Sequence, residues 1–173
     1  MKDETRKSLD QLLDTYDRRR EEAENSAQEQ LDEERKFLGA FRVCCDRIIH
    51  PAMEEIGEHL RSRGHGYSIS SSDELVEVDG RTIPPRITIQ FYPAGIDRSE
   101  FTSGADTPHV SFVANRSMEQ LWIHQCNMAP GIGGSAGSKG EVSLKEINRD
   151  FVQEQIVAMV QDVLGKLARS APY

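Results

Sequence analysis

Aromatic side chains are scarce in this sequence, 6% of 173 residues with a single tryptophan, so its core must be mostly aliphatic. Cysteine is scarcer still. Cys44, Cys45 and Cys126 are an odd, small set without framework spacing, which excludes a disulfide-stapled scaffold and points to reduced thiols in the cytoplasm. No apolar run approaches the roughly 20 residues of a membrane-spanning helix. Met1 to Lys7 is charged with no apolar stretch behind it, so no secretory signal is expected. Positive charge is also in deficit: 21 Lys and Arg stand against 29 Asp and Glu, a net charge of −8. Nucleic acids and anionic membranes attract proteins largely through their phosphates, so neither is an expected partner. The tightest basic cluster, Arg18-Arg19-Arg20, is enclosed by Asp17 and Glu21-Glu22.

What is present divides by composition. Residues 1–36 hold twelve Asp/Glu and eight Lys/Arg, with no Gly or Pro. Good helix formers dominate, so a charged helical arm is expected. Leu9, Leu13 and Tyr16, then Ala23, Ala27 and Leu31, form a thin coiled-coil-like stripe. Acid-to-base pairs four apart, Asp14 with Arg18 and Asp32 with Lys36, support the helix slightly. A charged helix without tertiary contact is marginal in water, so the arm is expected to pair, and the expected assembly is a homodimer.

Residues 37–173 read as a single α+β domain. Leu38, Phe41, Cys45, Ile48, Ala52, Ile56 and Leu60 step by three and four, with Val43, Ile49 and Met53 beside them, the pattern of a core-facing helix. Pro51 is expected to kink it or to open a second helix, and Gly64 and Gly66 to end it. The period then changes to two. Residues 67–71, 75–78, 86–92, 109–114 and 118–126 read as strands, and Asp79-Gly80 is a hairpin signal. Four to five consecutive strands without intervening helices imply an antiparallel β-meander. Residues 97–107 read as a long loop and residues 127–142, with five glycines, as a mobile linker. Ser143-Leu-Lys-Glu146 matches a capping box. A final helix carrying Ile147, Phe151, Val152, Ile156, Val160, Val163 and Leu167 follows, ending near Gly165 or Ala168.

No catalytic constellation is legible: there is no Gly-x-Ser-x-Gly elbow and no His-Glu-x-x-His helix. His50, His59, His65, His109 and His124 lack metal-ligand spacing, so no metal or cofactor is expected. Strand alternation places Trp122, His124 and Cys126 on one face. His124 and Cys126, about 6–7 Å apart by strand rise, are too far apart for a proton-transfer pair. The Gly-rich segment 130–140 offers Gly133, Gly134, Ser135, Gly137, Ser138 and Lys139 as a candidate anion-binding loop. It departs from a P-loop, because Lys139 lies between Ser138 and Gly140 and no helix follows directly.

The order of helix, meander and helix behind a coiled-coil-like arm loosely resembles RWD-type interaction domains, as does Tyr92-Pro93. Asp97 stands where their Tyr-Pro-x-x-x-Pro pattern has its second proline, and no functional residue carries over. The expected function is therefore a non-enzymatic interaction or scaffold protein that self-associates through helices. The alternative is a small-ligand or phosphate-binding protein, possibly an enzyme, using the Gly-rich loop together with Trp122 and His124.

Overall fold

In a computed structural model, which describes residues 1–171, the chain forms an α+β fold. A long N-terminal helix, α1 (Asp3–Cys44), continues through a π-helical turn (Cys45–Ile49) into α2 (His50–Ser62). Five strands then make one antiparallel sheet, and α3 (Arg149–Ser170) closes the chain. No helix among the described residues is long and apolar enough to cross a membrane.

The chain divides into two compact units, the first being Met1–Phe37 and the second beginning at Leu38. In the first, Leu9, Leu12, Leu13, Tyr16 and Leu31 are exposed along the helix. Arg18 reaches forward to Glu22 (3.9 Å) and Lys36 back to Glu33 (3.2 Å), not to Asp14 and Asp32. Such exposed pairs contribute only about 0.3–0.5 kcal/mol each.

In the second unit, Pro51 stands in the first turn of α2, as expected of a proline that opens a helix, but the chain stays helical through the π turn before it. Proline cannot donate to the carbonyl one turn back, and the widened π turn before it absorbs this defect. The wider turn also moves the buried stripe along by one residue. Ile49 and Met53 are fully buried, while Ile48 and Ile56 are only half-buried. Gly64, at φ +88°, ends the helix in the left-handed region that glycine tolerates.

The sheet comprises β1 (Gly66–Ser72), β4 (Arg86–Tyr92), β5 (His109–Asn115), β6 (Gln120–Cys126) and β7 (Ala136–Val142), in that order. Between β1 and β4, β2 (Leu75–Val76) and β3 (Thr82–Ile83) form a separate two-stranded hairpin. Its turn holds Gly80 at φ +84°. Ile87, Ile89 and Phe91, then Val110, Phe112 and Ala114, then Leu121 and Ile123 alternate onto one sheet face. Together with Met53, Val152, Ile156, Met159 and Val163 of the helices they make the buried core. Full burial of side chains of this size stabilises by about 1.5–3 kcal/mol each.

Three expectations need correction. Residues 127–142 are not all linker, because 136–142 form β7. As an edge strand it needs only backbone pairing with β6, which glycine supplies, and the bulge opposite Ile123 and His124 uses Gly140 at φ +136°. The capping box at Ser143 and Glu146 closes a 3₁₀ turn (Leu144–Glu146), whereas α3 is capped by Asn148, whose side chain accepts from the Phe151 N–H at 2.9 Å. α3 also runs on through Gly165 and Ala168 to Ser170.

Candidate functional site

The sheet face turned away from the core carries the other half of each alternating strand, and register sets its side chains in three rows. The first runs Ser72, Arg86, Val113, Trp122, Glu141; the second Ser70, Thr88, Ser111, His124, Ser138; the third Ser68, Gln90, His109, Cys126, Ala136. A groove of about 860 Å³ opens over them, within the size range of small-molecule sites.

Its floor is fixed by internal hydrogen bonds. Thr88 and Ser111 hydroxyls meet at 2.6 Å. Gln90 Oε1 accepts from the hydroxyls of Ser68 (3.1 Å) and Tyr92 (2.9 Å), which turns the amide Nε2 into the open donor. The Trp122 indole N–H donates to Glu141 at 2.9 Å, holding the ring, which remains 40% exposed.

His109 and His124 lie stacked, with ring centroids 5.4 Å apart and 12° between planes. Their tautomers follow from chemistry. The Thr107 carbonyl can only accept, so His109 Nδ1, 2.7 Å away, carries a proton. His109 is 8% exposed, and burial holds its pKa below the ordinary 6.5 against the opposing Thr107 hydrogen bond. Neutral His109 therefore presents a bare Nε2 to His124 Nδ1 at 3.3 Å, and His124 Nδ1–H donates to it. The remaining nitrogen, His124 Nε2, lies at the groove with no partner among the described residues.

Arg86 is exposed at the β4 side of the groove and has no carboxylate partner among the described residues. No group of three or more His, Cys, Asp or Glu suited to a metal ion exists among the described residues. The cysteines are buried thiols. Burial raises the pKa of all three, with Cys45 pushed up to about 12, so thiolate character is suppressed.

Of the candidate residues, Trp122, His124 and Ser138 line this groove. Gly133 and Lys139 are exposed and do not line it. Gly134 packs against Asn127, where an added Cβ would lie 2.6 Å from Oδ1, and the Ser135 N–H donates to the same oxygen at 2.8 Å. Gly137 pairs with Gln125, across from the core-facing side of β6. The segment thus delivers a flanking strand to the groove, with its loop fastened to Asn127.

Sequence reasoning missed Arg86, Gln90, Ser111 and above all His109. The alternation in 86–92 and 109–114 was the available signal, since it marks these residues as one face. That His109 meets His124 depends on the β5–β6 register. Comparison with known proteins finds no family model, no curated protein and no solved structure that matches this chain.

Proposed function

We propose that this protein binds a small polar ligand on the open face of its sheet. The observation that carries the reading is the stacked His109–His124 pair, anchored to the Thr107 carbonyl, which leaves His124 Nε2 without a partner among the described residues inside a groove of about 860 Å³. An ordinary solvent-facing sheet surface keeps polar side chains in water. Here His109 and Ser111 are 8% and 5% exposed and hydrogen-bonded within the protein, a fixed floor beside which Arg86, Trp122 and His124 stay accessible. The position of Arg86 favours an anionic ligand. Trp122 is the only tryptophan, so its fluorescence reports directly on the groove. A thermal-shift screen of small organic acids, nucleotides and phosphate is expected to yield a stabilising compound, by mass action. The same compound should change Trp122 emission in a saturable way. Stabilisation without any Trp122 response would place the ligand elsewhere and reject the reading.

A second reading, a self-associating interaction protein, is supported by the exposed Leu9, Leu12, Leu13, Tyr16 and Leu31 on one helix. Apolar side chains spaced along an otherwise charged helix suit pairing with another helix. The two readings are compatible, since they use different units of the chain.

A further inference from the structure

We infer that the groove takes a small, ring-bearing hydroxy acid, with His124 Nε2 accepting the proton of its hydroxyl. The inference rests on the ligand-binding reading and names the ligand class. The row Arg86, Val113, Trp122, Glu141 runs from a cation through an apolar floor and an aromatic ring to an anion. Such a row gives a ligand direction. The carboxylate belongs at Arg86, away from Glu141. The ring lies over Val113 against the exposed indole of Trp122, whose tilt is set by its bond to Glu141.

The far end of the ligand then reaches β6, two strand spacings or about 10 Å from β4. His124 follows Trp122 by two residues on that strand and faces the same groove. In the neutral His124 ring, the proton order Thr107 C=O, His109, His124 leaves Nε2 able to accept and not to donate. A hydroxyl satisfies it, whereas a carboxylate, ether or carbonyl oxygen does not. The charged groups that line the groove with the pair are Arg86 from β4 and Glu141 from β7. Glu141 is the one carboxylate among the described residues that line the groove, and its Oε1 already takes the Trp122 N–H.

Isothermal titration of the full chain with 4-hydroxybenzoate and with benzoate tests this. The hydroxy acid is expected to bind about five- to tenfold more tightly, the increment of one hydrogen bond. His124→Phe should abolish that preference and leave benzoate binding in place, Arg86→Gln should weaken both probes, and Glu141→Gln should keep the preference. Nitrogen-15 NMR of the unsubstituted protein gives a check independent of any variant's folding, with His109 and His124 both protonated at Nδ1. Equal affinity for the two probes overturns the hydroxy-acid assignment while leaving the groove as a binding site. So does a preference that survives His124→Phe or vanishes in Glu141→Gln. A His124 proton on Nε2 overturns the acceptor role. If neither probe binds, the ligand class is wrong, and the Trp122 screen decides separately whether the groove binds anything.

Discussion

The residue that governs this face is His109, and its environment has a consequence for stability. Burial lowers its folded pKa below the unfolded value of 6.5. A group with a depressed pKa that is neutral when deprotonated contributes stability above its unfolded pKa. That contribution is lost as pH falls, because the unfolded chain binds the extra proton. Urea unfolding is therefore expected to show stability declining from about pH 6.5 downward, before the carboxylates titrate. His109→Gln should flatten that decline. An unchanged slope in the variant would mean that His109 does not titrate differently in the two states. At this scale Trp122 and His124 could be read from the sequence as sharing a face, because strand alternation is local. His109 could not be joined to them, because its partnership spans 15 residues and a register.

At the scale of elements, the end of β7 and the start of α3 show how a correct local signal can be attached to the wrong feature. Ser143 and Glu146 do form the reciprocal bonds of a capping box, with Ser143 N–H on Glu146 Oε2 at 2.8 Å. They serve a three-residue turn, and the helix waits for Asn148. Asn148→Ala is expected to destabilise by about 1 kcal/mol, read as a lower urea midpoint at constant slope. Ser143→Ala should cost less, since the turn it closes carries little of the buried core. Equal losses would show that the turn and the helix form one cooperative cap. β7 was illegible for a different reason. Its glycines carry no strand propensity, and the strand exists because β6 offers an unpaired edge. The π turn before Pro51 is similar, in that proline announces a defect but not how the helix resolves it.

For the whole molecule, the question is what the first unit is for. Leu9 at 44%, Leu13 at 51% and Tyr16 at 63% exposure are too few to make a core of their own. An isolated helix gains little from propensity and exposed ion pairs. Light scattering of the full chain is expected to show a dimer, and joint substitution Leu9→Ser, Leu13→Ser and Tyr16→Ser to yield a monomer. A monomeric unsubstituted chain would reject self-association. A variant that remains dimeric would assign the interface to other residues.

The sequence by itself determined the fold class: the switch from a period of three to four to a period of two, and back, named the helices, four of the five sheet strands and the antiparallel order. Those signals are local, arising from side chains a few residues apart that must share a face. It also placed the charged helix at the N-terminus, because composition changes sharply near residue 37. Only the tertiary structure decided that 136–142 is a strand and that the buried helical stripe advances by one residue at the π turn. It alone set Arg86, Val113 and Trp122 in one row with His109 and His124 beside them. These outcomes depend on which backbone edges meet and in what register, and register is set by the packing of the whole core.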